Sequence, residues 1–285
     1  MVEVAIQRLD SAGQPVRTAL DEIARSLDLG LFDDVEAGQF LLGGCREEML
    51  ETALALLAER CPLQYSAGAI QAACVASIFA AADVTHAYKR QQGGSGAFAS
   101  VELGVRPGGS DCIEFLDECP EGNLPTAYRA AIADAILRGD ARSWLGWPLA
   151  AVTVSLKDGK YHDLDSSPEA FAIATREALR LAVDQGGMKV LEPVVSIAVL
   201  APSADLDACA RLLRRRGVDF ETMRGNDAGS LSASSRMSDL LGFAAELREA
   251  SSRRADFAII LTGYVEIAAD RGSPGTEPVA AALRA

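Results

Sequence analysis

The sequence predicts an α+β protein of three domains, in which two ferredoxin-like βαββαβ sandwiches flank a central α/β domain. The order strand, helix, strand, strand, helix, strand occurs in residues 1–70 and again in 191–267. The segment between them, 71–190, follows a different order. A chain of 285 residues is long enough for two or three domains of about 100–150 residues each. Its 49% of hydrophobic residues supply a core for each domain.

The first domain, 1–70, reveals its elements through the spacing of its apolar residues. Residues 2–8 (VEVAIQR) alternate as a strand does, and 16–27 carry an apolar side chain every three or four positions, as a helix does. The other elements are a hairpin of strands 29–34 and 38–44, a helix marked by Leu50, Leu54 and Leu57, and a short strand at 61–67. This order predicts an antiparallel sheet with two helices on one face.

The last domain, 191–267, repeats this order with little sequence identity to the first. Residues 192–202 form a buried strand, and a helix that begins near Leu206 stops at Gly217. The other elements are strands 218–224 and 229–235 around a turn at Gly225–Asn226, a helix lined by Met237, Leu240, Leu241, Ala244 and Leu247, and a strand at 255–267. We expect the tail that follows, 268–285, to be mobile because it is rich in Gly and Pro.

The central domain, 71–190, has its own pattern. The elements that we predict are strands at 72–80, 97–105, 112–116 and 150–157 and helices near 127–138 and 168–184. Pro168 suits the first position of the second helix, with Ser166 or Ser167 as its N-cap. We place His86 in a polar connection, VTHAYKR.

The charge of the chain excludes a general nucleic-acid binder. The formal net charge is −13, of which residues 1–70 contribute −7, 71–190 contribute −4 and 191–285 contribute −2. DNA-binding and general RNA-binding domains are basic over the whole domain. We therefore expect no DNA partner, and any contact with RNA must come from local patches on an acidic body.

Neither a membrane segment nor a metal site is expected. No apolar run approaches the roughly 20 residues that span a bilayer, and the start MVEVAIQRLD lacks the pattern of a secretory signal, so we expect a cytoplasmic protein. The six cysteines contain no C-x-x-C pair and are interpreted as reduced core residues. Cys112 and Cys119 have no nearby histidine, which argues against zinc.

No enzyme site is predicted, and we expect no cofactor. A P-loop needs a Lys between a Gly and a Ser or Thr, and none of the four lysines meets that condition. A G-x-S-x-G elbow is absent from the sequence. Asp163 and Asp165 would share one face of an extended segment, as a pair of acid–base groups does, but polar loop or cap residues are the favoured interpretation.

Two segments carry chemistry that is unusual for a simple surface turn. Residues 89–98 (KRQQGGSGAF) combine cations, amides and glycines, and 157–167 (KDGKYHDLDSS) add a tyrosine, a histidine and hydroxyls. Amides, hydroxyls and an aromatic ring suit single-stranded or irregular RNA, and glycine lets a backbone approach a partner closely. Flexible turns would explain the same composition.

These two segments resemble the fourth domain of elongation factor G, whose loops read like R-Q-S-G-G-R-G-Q-[YF] and Y-D-G-S-Y-H-[ED]-V-D-S-S-x-x-A-F. Here they read RQQGGSGAF (90–98) and KDGKYHDLDSSPEAF (157–171). Three further landmarks keep the order of the family's fifth domain, LEP at 191–193, RRG at 215–217 and LGFAAELR at 241–248. The resemblance covers residues 2–267 and implies domains three to five, without the GTPase domain or the second domain.

The resemblance implies a monomeric ribosome-binding factor that works by shape and position. In the family, the tip of the fourth domain enters the decoding region and helps tRNA and messenger RNA to move, while the fifth domain faces large-subunit RNA. The residues that it implies for RNA contact are Arg90, Gln91, Gln92, Gly93, Gly94, Ser95 and Gly96 in the first loop, Lys160, Tyr161, His162, Asp163, Asp165, Ser166 and Ser167 in the second, and Arg214, Arg215 and Arg216 in the fifth domain.

Departures from the family pattern leave alternatives open. Ser95 replaces an Arg of the family's loop, and the third-domain pattern G-M-G-E-L-H-L-E is reduced to GGCREEMLE at 43–51. Together with the missing P-loop, this indicates a chain that is not coupled to GTP hydrolysis. The alternatives are a ribosomal protection protein of the tetracycline-resistance type and a degenerate paralogue that binds protein partners through its acidic surfaces. The YHDLDSS stretch favours elongation factor G.

Overall fold

The computed structural model describes residues 1–9, 13–34, 38–92, 95–109, 112–138 and 145–267. Over these residues the chain is a mixed α/β protein with several sheets, as the sequence predicts. It divides into two compact units, one made of Met1–Cys74 with the chain from Leu191 onward, the other of Val75–Val190. The division into three domains stays a prediction, and the predicted tail at 268–285 lies outside the described residues.

The first segment, 1–74, forms a sheet covered by two helices. Its elements are β1 (Val2–Arg8), α1 (Gly13–Leu27), β2 (Gly30–Asp34), β3 (Gln39–Gly44), α2 (Glu47–Arg60), β4 (Tyr65–Ala67) and β5 (Gln71–Ala72). The strand order is β2-β3-β1-β4, all antiparallel, with β5 also paired to β1. The last predicted strand, 61–67, is shorter than expected because Leu63 has a φ of 61°. That left-handed turn delays the strand until Tyr65.

The last segment, from residue 188 onward, repeats the strand order. Its elements are β11 (Met188–Pro202), α5 (Leu206–Arg215), β12 (Phe220–Arg224), β13 (Ala228–Arg236), a 3₁₀ turn (Ser238–Leu240), α6 (Phe243–Ala250) and β14 (Asp256–Glu266). The order is β12-β13-β11-β14, all antiparallel. The single helix predicted between Met237 and Leu247 is wrong in one respect. Gly242, with a φ of 75°, separates the 3₁₀ turn from α6.

Contacts between distant parts of the sequence hold the first and last segments in one unit. Glu47, on the first turn of α2, accepts a hydrogen bond of 2.7 Å from the backbone N–H of Gly242. The neighbouring Glu48 pairs with Arg248 of α6 at 2.9 Å. Residues from both segments, Arg46, Glu47 and Glu48 with Met237, Leu240 and Phe243, line one small cavity between them. The periodicity of apolar residues does not predict such contacts between distant segments.

The central unit, 75–190, packs two helices on one face of a sheet. Its elements are β6 (Val75–Ile78), β7 (Ala82–Gln92), β8 (Ser95–Pro107), β9 (Ile113–Asp117), α3 (Thr126–Leu137), β10 (Val152–Lys160) and α4 (Pro168–Gly186). The order is β7-β8-β10-β9, in which β9 and β10 run parallel and the other pairs antiparallel. Apolar residues of α3, α4, β8 and β10 form the core.

Strand β7 corrects the placement of His86. The sequence put this residue in a polar connection, whereas it pairs with Val101 in the middle of an eleven-residue strand. β7 is an edge strand, and its outer face carries polar residues such as Asp83 and Lys89, while Val84 and Tyr88 pack against the core. A search for apolar runs does not find such a strand, because one face is polar and the other is only half-buried.

All six cysteines lie in the described residues and none is in a disulfide. Four of them, Cys61, Cys74, Cys119 and Cys209, are buried. Burial raises the pKa of Cys74 to about 12. Cys45 and Cys112 are exposed, so the interpretation as core residues is wrong for these two. In the described part of the chain, no three His, Cys, Asp or Glu side chains are grouped so as to hold a metal ion. None of the described helices is long and apolar enough to cross a membrane.

Candidate nucleic-acid interface

The first candidate loop lies at the end of the β7–β8 hairpin. These strands pair as far as Gln91 with Gly96 and Gln92 with Ser95. Gly93 and Gly94, which complete the predicted loop, lie outside the described residues. Arg90 is exposed, so its cation is available at this end of the sheet.

The second candidate loop, 161–167, starts where β10 ends, at Lys160. Because Lys160 pairs with Ser100 on β8, the antiparallel register places this loop beside the hairpin. Residues 163–165 form a turn. Asp163 and Asp165 therefore do not share one face of an extended segment, and the alternative of an acid–base pair loses its geometric basis.

Ser166 fastens the second loop to the first. Its hydroxyl donates to the carbonyl of Phe98 at 2.6 Å and accepts from the backbone N–H of His162 at 2.9 Å. The N–H of Phe98 in turn donates to the carbonyl of Asp165 at 2.8 Å. Loops that are more than 60 residues apart in sequence therefore form one structure, which we call the tip (residues 90–92, 95–98 and 160–167).

The side chain of His162 contacts two residues of the adjacent turn. Its Nδ1 lies 3.3 Å from the backbone nitrogen of Leu164 and 3.2 Å from a carboxylate oxygen of Asp165. The first contact requires an unprotonated Nδ1 as acceptor, and the second requires a protonated one as donor. Nδ1 thus has a hydrogen-bond partner in either tautomer of the imidazole, while the side chain stays 57% exposed.

A series of aromatic rings connects the tip to the core. The ring of Tyr128, on α3, stacks on the buried Phe171 with centroids 4.6 Å apart, and its other neighbour is Tyr161 at 5.8 Å. The hydroxyl of Tyr128 donates to the carbonyl of Ser166 at 3.1 Å. Tyr161, 40% exposed, is therefore held at the surface by a ring that is itself fixed.

Gly96 and Ser167 show why these residue types occupy their positions. A Cβ at Gly96 would lie 2.7 Å from Cγ of Asp165, so any larger residue here would displace the Asp165 carboxylate. Ser167 is the N-cap of α4 and accepts from the N–H of Ala170 at 3.2 Å, with Pro168 in the first turn. Of the two predicted caps Ser167 is right, since the hydroxyl of Ser166 binds the hairpin.

A second layer of polar contacts supports the end of β10. Asp158 accepts hydrogen bonds from the side chain of Asn123 at 2.9 Å and from the N–H of Gly159 at 2.8 Å. These two donors, the Asn123 amide foremost, lower the pKa of Asp158. Sequence reasoning missed Asn123 and Tyr128 as parts of the site. No local motif signals them, because only the fold brings them to the tip.

The predicted cationic patch of Arg214, Arg215 and Arg216 lies at the end of α5. The guanidinium of Arg214 sits 5.1 Å from the ring centroid of Phe220, and Arg215 lies 3.6 Å from Glu246. Arg216 donates to the carbonyls of Asp239 and Leu241 and pairs with Glu246, and only 16% of its side chain is exposed. Arg216 therefore stabilises the start of α6, while Arg214 and Arg215 are the more exposed cations.

Comparison with known proteins identifies the central unit. The family model described as elongation factor G, domain IV matches residues 73–187, the segment that contains the whole tip. Elongation factor G 2 of Hahella chejuensis (strain KCTC 2396) is 33% identical over 233 residues, which are 81% of this chain and 34% of that protein. Residues 73–187 belong to the elongation factor G domain IV family. The chain spans about a third of the length of that relative.

One solved structure shares the fold of nearly the whole chain. A crystal structure of a protein from Thermus thermophilus superposes with a TM-score of 0.71 over 99% of this chain and 43% of the other, at 22% sequence identity. At that identity the similarity concerns the fold alone. The elongation factor G resemblance of the sequence, carried by the loops at 90–98 and 157–171, is confirmed.

Proposed function

We propose that this chain is a ribosome-binding translation-factor module whose tip contacts RNA in the decoding region of the small subunit and assists the movement of tRNA and messenger RNA. In this proposal the contact residues are Arg90–Gly96, Lys160–Asp163 and Asp165–Ser167. The last segment, with Arg214 and Arg215 exposed, faces RNA of the large subunit. The sheet orders β2-β3-β1-β4 and β12-β13-β11-β14 support ferredoxin-like third and fifth domains that precede and follow the fourth in the chain.

The observation that carries the proposal is the fixed shape of the tip within the matched domain. Ser166 links the two loops, Tyr128 holds Tyr161, and Gly96 permits their close approach. Contacts from the β7–β8 hairpin, the 161–167 loop and α3 thus hold this surface turn in one conformation. Preorganised loops bind with less loss of conformational entropy than flexible ones do.

The charges of the tip suit local RNA contact on an acidic body. Lys160 and Arg90 are exposed there, and Lys89 lies 5.7 Å from the ring centroid of Phe98. Contacts of Lys and Arg with phosphate release counterions, so the affinity that they supply falls as salt rises. Binding of this chain should therefore be salt-dependent in spite of its net charge of −13.

The module acts by position and carries out no covalent step. Its sequence contains no P-loop, and the carboxylates of the tip are arranged in a turn that binds His162. We expect no binding of GTP by this chain. Calorimetric titration with GTP and Mg²⁺ checks this, and tight binding would contradict it.

Co-sedimentation with 70S ribosomes at low and high salt tests the proposed function. We expect the wild-type chain to bind at low salt and to weaken as salt rises. The variant Arg90→Ala/Lys160→Ala should bind less tightly and show a shallower dependence on salt. Arg138→Ala/Arg176→Ala removes the same charge from exposed positions of the same unit and should change neither quantity. Absence of wild-type binding at low salt would refute the proposal.

A further inference from the structure

Leu164, at the centre of the 163–165 turn, is an apolar side chain that lies almost entirely in solvent. The side chain is 89% exposed, more than any other large apolar side chain in the described part of the central unit. An isolated exposed leucine is common on protein surfaces. This one stands at the centre of a turn that the fold holds in place.

The backbone around Leu164 is fixed on both sides. Its own N–H donates to Nδ1 of His162 at 3.3 Å, and the N–H of Ser166 donates to the carbonyl of His162 at 3.1 Å. The Ser166 hydroxyl then ties the turn to Phe98. Because the conformation of this turn is set before binding, burial of the leucine on a partner costs little ordering entropy.

The neighbours of Leu164 indicate which part of an RNA it meets. Asp163 and Asp165 lie on either side of it, and carboxylates repel phosphate groups. They accept hydrogen bonds from base amino groups and from ribose 2′-hydroxyls. Tyr161, exposed and held by Tyr128, offers a ring on which a base can stack.

Resting on the proposed function, we infer that Leu164 packs against the base or ribose of an unstacked nucleotide and is an apolar contact residue of the tip. This contact is distinct from the phosphate contacts of Lys160 and Arg90. It releases no counterions, so its contribution to affinity is the same at low and high salt. A single apolar side chain flanked by carboxylates and rings fits a nucleotide better than it fits an apolar protein groove.

The affinity of the full chain for 70S ribosomes at two salt concentrations tests this inference. Leu164→Ser should weaken binding by about tenfold, and by the same factor at both salt concentrations. Leu164→Ile, which keeps the apolar volume, should bind within about threefold of wild type. Leu63→Ser is the matched control, because Leu63 is 96% exposed in the other unit, and its affinity should equal that of wild type.

A photo-reactive leucine analogue at position 164 identifies the partner. We expect cross-links to small-subunit ribosomal RNA, and cross-links confined to a ribosomal protein would overturn the choice of RNA. Equal affinities of wild type and Leu164→Ser would overturn the contact itself while leaving the proposed function in place. If the wild-type chain does not bind ribosomes at all, both proposals fail.

Discussion

The hydroxyl of Ser166 donates a hydrogen bond of 2.6 Å to the carbonyl of Phe98. With the reciprocal bond from the Phe98 N–H to the Asp165 carbonyl, it joins the loop after β10 to the start of β8. The two loops that carry the family resemblance are therefore one structural element. A substitution in either loop should alter the conformation of the other.

Ser166→Ala should loosen the tip without unfolding the central unit. It removes the hydroxyl that links Phe98 and His162, and each such hydrogen bond contributes about 1 kcal/mol. We expect a loss of about 1–2 kcal/mol in urea unfolding and faster hydrogen exchange at the His162 amide. Ser234→Ala, an exposed serine on β13, is the control. Unchanged exchange at His162 would show that the hydroxyl does not hold the turn.

Gly96→Ala should displace the Asp165 carboxylate. The new Cβ would meet this carboxylate at 2.7 Å, and the carboxylate must then turn away from His162. Forcing a side chain out of its preferred rotamer costs about 0.5–1.5 kcal/mol, measurable by urea unfolding. Gly109→Ala is the control, because nothing lies within 4 Å of its new Cβ.

The same steric conflict can be relieved by a second substitution. In an Asp165→Ala background the carboxylate is gone, so Gly96→Ala should cost clearly less than it does in the wild-type chain. The coupling energy from this double-mutant cycle measures the close approach directly. Equal costs in both backgrounds would mean that the two residues do not meet.

Asp158 should contribute to acid sensitivity. Hydrogen bonds from Asn123 and Gly159 lower its pKa in the folded state, so its contribution is fully present above the ordinary value of about 3.9. That contribution is lost as the pH falls from about 3.9 through the lower folded-state pKa. Asp158→Asn should therefore flatten the decline of unfolding free energy below about pH 4. Asp163→Asn, at the exposed turn, removes the same charge and is the control. An identical decline in wild type and Asp158→Asn would contradict the assignment.

The pair of Glu48 and Arg248 should couple the first and last segments. The two side chains are 2.9 Å apart and partly exposed, which predicts a coupling of about 0.5–1 kcal/mol. Glu48→Arg and Arg248→Glu should each lower the thermal stability of the chain, and the double reversal should restore part of it. Failure of the double variant to recover any stability would indicate that the attraction between the two charges contributes nothing.

Apolar periodicity was sufficient to predict most elements, but not those set by special backbone conformations or by contacts across the chain. Gly242, in the left-handed region, divides a helix whose apolar spacing runs through it. Strand β7 was not predicted because its outer face is polar. The contact of Glu47 with Gly242 joins residues 195 positions apart, so no local pattern encodes it.

The candidate site also combines features that the local sequence predicts with features that depend on the fold. The family resemblance and the predicted RNA contact both came from the residue types of the loops at 90–98 and 157–171. Residue types can be read directly from the sequence. The roles of Tyr128 and Asn123 depend on a helix and a loop that fold back on the tip. Arg216 looked like one of three equivalent cations, and its burial against the start of α6 appears only in three dimensions.

Chemical probing of small-subunit ribosomal RNA with the full chain bound tests the central claim most directly. The tip should protect nucleotides of the decoding region, and Ser166→Ala and Gly96→Ala should weaken that protection while protections on the large subunit persist. Bound chain that leaves the decoding region as reactive as in free ribosomes would contradict the claim that the tip faces this RNA.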